Sequence, residues 1–152
     1  MTRHSASLIH RRLVDSLYTE AMLLADEARA YFDLVGRGER QGLEALNRVA
    51  FSCESLKVTT RLMHIIAWLL TQRAVEAGEI TRHDALAPAR RLGEAPESDV
   101  ETLAAMPAQA TAIIRTSITL YGRVARLDQS LEERPAVASP ARTMIQRLAA
   151  SF

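Results

Sequence analysis

The sequence predicts an all-α protein, an antiparallel three-helix bundle with short helices between the second and third long helices and a C-terminal tail. Apolar residues recur at steps of three and four over three long stretches, the spacing of buried helix stripes. Glycine and proline are sparse, six and five in 152 residues, and most fall where those stretches stop. No stretch alternates as a strand does. The length suits one domain with a core that needs no disulfide support. The bundle is expected over residues 1–135 and the tail over 136–152.

The first long helix is expected from about Ser7 to Val35. Leu13, Leu17, Leu24, Ala28, Tyr31 and Val35 form one stripe, while Glu20, Asp26, Glu27 and Arg29 fill other faces. Gly36 and Gly38 are expected to end it, because glycine takes the left-handed conformation of a C-cap at no steric cost. The second helix is expected from about Gly42 to Ala77, with Gly78 as its stop. Its longest stripe reads Leu46, Val49, Cys53, Leu56, Thr60, Met63, Ala67, Leu70 and Ala74. Leu56, Met63 and Leu70 are therefore expected to face the other two helices.

A second stripe on the same helix reads Phe51, Val58, Leu62, Ile65 and Leu69. Together the two stripes exceed the arc of ~100° that a surface helix needs. A surplus of this kind marks an interface, and a two-fold pair is the commonest arrangement. Leu62, Ile65 and Leu69 are the candidates for a homodimer interface. Glu54, Lys57, Arg61, His64, Trp68 and Gln72 share the remaining face. Glu54, Arg61, Arg126 and Asp128 are expected to fix helix register through ion pairs.

Residues 79–106 are punctuated by Pro88, Gly93 and Pro96, so short helices are expected there. Thr81 caps one through Leu86, and Ser98 to Glu101 reads as a capping box for another. The third long helix is expected from near Pro107 to Glu133, ended by Pro135. Its stripe is Ile114, Ile118, Tyr121, Val124 and Leu131, widened by Ile113, Leu120 and Leu127. In the tail, Ser139 and Pro140 are placed to start a short amphipathic helix with Met144, Ile145, Leu148 and Phe152 on one side. Those four are the candidate partner-docking residues. The seventeen residues of 136–152 give too short a helix to be stable alone, so it docks or stays mobile.

The chemistry searched for leaves no catalytic, cofactor or metal residue to assign. None of His4, His10, His64 and His83 lies three or four residues from another, so no pair shares a zinc-binding helix face. The absence of Glu-x-x-His removes the di-iron bundle signature. His64 precedes Ile65, Ile66, Ala67 and Trp68, which favours a packed boundary histidine over a phosphorylated one. Cys53 is the only cysteine, so no intramolecular disulfide forms, which fits a reducing compartment. It sits in an apolar pattern and is read as a small hydrophobe. Net charge is +1, and Arg115, Arg123 and Arg126 are diluted by Asp128, Glu132 and Glu133. This argues against nucleic acid, which needs a concentrated basic patch. The longest apolar run, Leu62 to Leu70, is too short to span a membrane. The start, MTRHSASLIHRR, lacks the apolar core of a secretory signal. The expected location is the cytoplasm.

Three segments together carry a family resemblance. They are YTEAMLLADEARAYFD at 18–33, ESLKVTTRLMHIIAWLLTQRAVEAGE at 54–79 and SITLYGRVARLD at 117–128. In order and spacing they resemble the DUF1465 family over Tyr18 to Asp128. The resemblance implies a helical, homodimeric, non-enzymatic adaptor in regulated proteolysis. It would help deliver the cell-cycle regulator CtrA and other substrates to the ClpXP protease. The implied partners are proteins, namely the protease, other adaptors and the substrate regulator, with no small-molecule substrate and no cofactor. A helical scaffold unrelated to proteolysis is the alternative that the residues themselves leave open, and a nucleic-acid-binding module a more distant one.

Overall fold

The computed structural model describes residues 2–133 and 140–151. All the regular elements among them are helical. The first is α1, Thr2–Ala30. It does not stop at the glycines. A single π-helical turn, Tyr31–Val35, leads directly into α2, Gly36–Gln41. Gly36 is right-handed, with φ at −63°, so it is not a left-handed cap. Its role is close approach. A Cβ there would stand 3.0 Å from the Tyr31 carbonyl oxygen and 3.2 Å from the Phe51 ring. Tyr31, Phe32 and Phe51 stack at this point, two of the pairs edge to face.

The next element, α3, spans Ala45–Glu76. Here Gly78 ends the helix as expected, with φ at +75°. Its amide donates to Val75 O and that of Glu79 to Ala74 O, the paired bonds of a Schellman ending. A short helix, α4, covers Arg82–Ala85 behind a reciprocal Thr81–Asp84 capping box. A 3-10 turn at Pro88–Arg90 and an extended stretch follow. Then come α5, Val100–Ala104, and α6, Ala108–Glu133. The last element is α7, Pro140–Ser151.

Each of α1, α3 and α6 packs against the other two. Cross-contacts set their directions. Asp15 meets Arg73 while Phe32 meets Phe51, so α1 and α3 are antiparallel. Arg61 meets Ser117 and Trp68 meets Asp128, so α3 and α6 run parallel. This corrects the expected up-down-up order. Parallel neighbours need a return crossover, and residues 77–107 supply it. Arg91 contacts Asp128, the Gly93 carbonyl accepts from Tyr121, Pro96 and Ser98 meet Arg61, and the Leu103 carbonyl meets Thr111. The segment 91–103 is thus a strap lying along α3 and α6 and running opposite to both.

Helix α3 also turns a different face inward. Its buried residues are Phe51, Glu54, Val58, Arg61, Leu62, Ile65, Trp68, Leu69 and Gln72. The candidate interface residues Leu62, Ile65 and Leu69, exposed by 5 %, 0 % and 0 %, belong to the core of the chain itself. The stripe expected in the core is on the surface instead: Leu46, Val49, Leu56, Met63 and Leu70 are exposed, and so is Cys53. Helix α1 follows expectation closely, burying Leu17, Leu24, Ala28 and Tyr31, with Val14 in place of Leu13 and with Val35 exposed. On α6 the buried set is Ala110, Ile113, Ile114, Ser117, Leu120, Val124 and Asp128, while Ile118 faces out. No helix among the described residues is long and apolar enough to cross a membrane.

Two stability measurements check this assignment. Ile65→Ala should cost ~2–5 kcal/mol in urea unfolding, the range for a fully buried aliphatic truncation. Gly93→Ala should cost ~1–3 kcal/mol through overpacking, because the new Cβ would lie 2.4 Å from the His64 ring. Stability unchanged by Ile65→Ala would mean that α3 presents another face to the core.

Candidate functional site

The groups with chemical potential lie in two buried polar clusters, and both hold the strap. Arg61 is exposed by only 2 %. A buried cation costs several kcal/mol unless its donors are satisfied. Its Nη1 donates to Ser117 Oγ at 3.2 Å, and its Nη2 donates to Pro96 O at 3.0 Å and Ser98 Oγ at 2.6 Å. Ser98 in turn donates to Glu54 Oε2, and Lys57 bridges Glu54 Oε1 to the Glu97 carbonyl. Burial holds the Arg61 pKa below its usual value, and the nearby Glu54 carboxylate opposes that shift. Arginine remains charged regardless.

The second cluster centres on Asp128. Trp68 Nε1 donates to Oδ1 at 2.9 Å, and Arg91 grips the same carboxylate through Nε at 2.8 Å and Nη2 at 3.1 Å. Glu54, Arg61, Arg126 and Asp128 were expected to pair as ions between helices, but Asp128 pairs with Arg91 of the strap, Glu54 pairs with Lys57 on its own helix, and Arg61 donates to neutral oxygens. The strap supplies most of these partners. Ser98 was expected to cap α5, but it is drawn into the Arg61 cluster, and the N-cap Asp99 makes no side-chain cap bond. His64 lies beside Gly93 under the strap.

Among the described residues, no buried side-chain nitrogen or oxygen is left without a partner. No group of three or more His, Cys, Asp or Glu among them is placed to hold a metal. The polar interior is therefore occupied in holding the fold together, and candidate function shifts to the surface.

Three surfaces stand out. The first is the α3 stripe, with Leu46 exposed by 85 % and Met63 by 65 %. The second is a pair of grooves beside α1. One, of about 390 Å³, lies between α1 and α6 over Leu24 and Leu120, with Glu20, Glu27, Arg115 and Arg123 at its edges. The other, of about 340 Å³, lies between α1 and α3 and includes Met63 and Ile66. The third is α7, on which Met144, Ile145 and Leu148 are all exposed. Phe152 and Ser139 lie outside the described residues.

Tyr31 lies where α1 meets the start of α3, and Tyr121 lies midway along α6, donating to the Gly93 carbonyl of the strap. Burial raises the Tyr31 pKa, assisted by its hydrogen bond to Glu39 and by that carboxylate's charge. Burial likewise raises the Tyr121 pKa, with smaller contributions from Glu94 and Asp128. Each native state favours the neutral phenol.

A family model described as a protein of unknown function, DUF1465, matches residues 5–152. No curated protein matches the chain. Among solved structures, the crystal structure of RcdA from Caulobacter crescentus CB15 is similar, at 34% sequence identity and a TM-score of 0.65. The match covers 78% of this chain and 90% of that one.

The tyrosine shifts predict an alkaline limit to stability. A raised native pKa gives stability that is fully present below the unfolded value, about 10 for tyrosine, and lost as pH rises beyond it. Urea midpoints followed from neutral to strongly alkaline pH should fall above about pH 10. The fall should be shallower in the Tyr31→Phe, Tyr121→Phe double variant. An identical slope in both proteins would mean that neither phenol is coupled to folding.

Proposed function

The chain belongs to the DUF1465 family, and we propose that it is a non-enzymatic adaptor in regulated proteolysis. In this role it helps deliver a cell-cycle transcription regulator resembling CtrA, and other substrates, to the ClpXP protease. The observation that carries the proposal is the likeness to RcdA over most of both chains, in sequence and in fold. The family resemblance supplies the protease and the substrate. The physical chemistry of the chain supports the adaptor role independently. Its buried charges are engaged in internal bonds, whereas its uncommitted features are apolar surfaces suited to protein contacts.

The adaptor works in the cytoplasm as a homodimer, with the protease, other adaptors and the substrate as its protein partners. The α7 helix is the part assigned to partner docking. Met144, Ile145 and Leu148 are exposed on it, and Phe152 continues the pattern in sequence. Anchors at this spacing suit a helix-in-groove contact. Arg142 and Arg147, with no acidic residue in 136–152, favour an acidic rim on the partner.

A reconstituted degradation assay tests the proposal. Adding the full chain to purified ClpXP, its accessory factors and CtrA should speed loss of the substrate. A chain truncated after Arg134 should keep its helicity and its dimer but deliver substrate severalfold more slowly. No acceleration by the full chain would set aside the proteolytic role in favour of a scaffold acting elsewhere. Undiminished delivery by the truncated chain would remove α7 from the mechanism.

A further inference from the structure

The groove between α1 and α6 is divided by charge along its length. Leu24 and Leu120, both buried, form its floor, and Leu23, exposed by 64 %, stands at its lip. Glu20 and Glu27 mark the α1 edge, and Arg115 and Arg123 mark the α6 edge. The two glutamates are seven residues apart, close to two turns, so they share one side of α1. The two arginines are eight residues apart, and each pair therefore spans a similar length of ~10–12 Å. Because α1 runs against α3 and α6 runs with it, α1 and α6 are antiparallel. Glu20 and Arg123 meet at 2.9 Å at one end of the groove, and Glu27 and Arg115 mark the other. Among the lining residues, the charges of one edge are all acidic and those of the other all basic.

The groove between α1 and α3 lacks this division. Its charged residues, Arg29 and Asp33, both belong to α1, and the α3 side offers Ser55 and Thr59. In the α1–α6 groove, an apolar floor about two turns long suits an amphipathic helix anchored at i, i+3 and i+7. The edges then specify the flanks of that helix. Complementary charge across an interface acts mainly by selecting partners, since like charges set against each other are costly. The Glu20–Arg123 pair does not bar entry. Both side chains are close to half exposed, and a surface pair of this kind contributes little to stability, so each can turn to a partner. The tail of the chain itself is a poor occupant. Residues 136–152 carry Arg142 and Arg147 but no acidic residue, which leaves the arginine edge unmatched.

We propose that this groove docks a short amphipathic helix of a partner protein. Its apolar anchors lie on the leucine floor. Lysine or arginine lines the flank that meets α1, and aspartate or glutamate lines the flank that meets α6. Because charge fixes which flank meets which helix, it also fixes the direction in which the partner helix lies. The inference rests on the protein-docking part of the proposed function and not on the protease or the substrate, and it gives the chain a docking surface separate from α7.

The test uses the full-length chain alone and three stapled helical peptides, all with leucine at i, i+3 and i+7. The first peptide has lysine along one flank of the leucine stripe and glutamate along the other. The second has lysine on both flanks, and the third glutamate on both. Fluorescence anisotropy at low ionic strength should show the first binding at least ~10-fold more tightly than the others, each of which sets like charges against one edge. The Glu20→Lys, Glu27→Lys variant makes both edges basic at exposed positions, so it should keep the native helical content. It should bind the doubly acidic peptide most tightly. Leu23→Ser, also at an exposed position, should weaken binding of the first peptide severalfold with the charges unchanged. Equal affinity of the native chain for all three peptides, or an unchanged ranking in the lysine variant, would overturn the charge division. Failure of the first peptide to bind saturably, or binding indifferent to Leu23→Ser, would overturn the groove as the docking site. Intact peptide binding without any acceleration of degradation would support the groove and count against the proteolytic role alone.

Discussion

The guanidinium of Arg61 has to be satisfied away from water, and the arrangement of the chain follows from how that is done. Its donors reach Ser117 on α6 and both Pro96 and Ser98 on the strap. Those groups converge only if α6 lies beside the middle of α3 and the strap lies along them both. A direct turn from α3 into an antiparallel α6 would leave no strap to meet Arg61. Asp128 repeats the device further along α6, taking Trp68 from α3 and Arg91 from the start of the strap. Between these two points Gly93 passes His64 so closely that a side chain there would overlap the ring. Hydrophobic burial supplies most of the driving force, but it is non-directional. The polar contacts choose which face of α3 is buried and which way α6 runs.

That choice has a functional consequence. Because α3 buries the face carrying Glu54, Arg61, Trp68 and Gln72, its most regular apolar stripe is left outside. The strap runs along α3 and α6, while the grooves beside α1 stay open. The described helices thus carry an apolar stripe on their outer surface. Such a surface suits contact with other proteins. The exposed residues of α7 extend the same logic beyond the bundle.

Much of the fold was legible in the sequence because it rests on local rules. The three long helices, the stop at Gly78 and the Thr81 cap all depend on residues within one or two turns of each other. So does the stripe Leu17, Leu24, Ala28 and Tyr31. Errors arose where a distant partner decides. Gly36 reads as a terminator, but it exists for the Phe51 ring that packs against it. Ser98 fits a capping box by spacing, but Arg61, 37 residues away, takes its hydroxyl. On α3 the hydrophobic pattern favours the wrong side, since a buried face containing Glu54, Arg61 and Gln72 looks like a solvated one until the strap supplies their partners. The candidate interface at Leu62, Ile65 and Leu69 was displaced by the same inversion. The exposed apolar residues of α3 are those of the other stripe, Leu46, Val49, Leu56, Met63 and Leu70. One signal could have found the right face: residues 91–98 hold Arg91, Glu97 and Ser98 in a stretch with no helical stripe, as a segment held by polar contacts would.

If the burial of Arg61 sets the fold, Arg61 and the strap are energetically coupled. A double-mutant cycle in urea unfolding, using Arg61→Met, Ser98→Ala and the pair together, measures that coupling directly. Groups in one buried network give interaction energies of ~0.5–3 kcal/mol, whereas independent sites add to within ~0.5 kcal/mol. The expected coupling is at least ~1 kcal/mol, with the second substitution costing little once the first has been made. Fully additive losses would show that the strap is held without Arg61, and that the burial of this face of α3 has another cause.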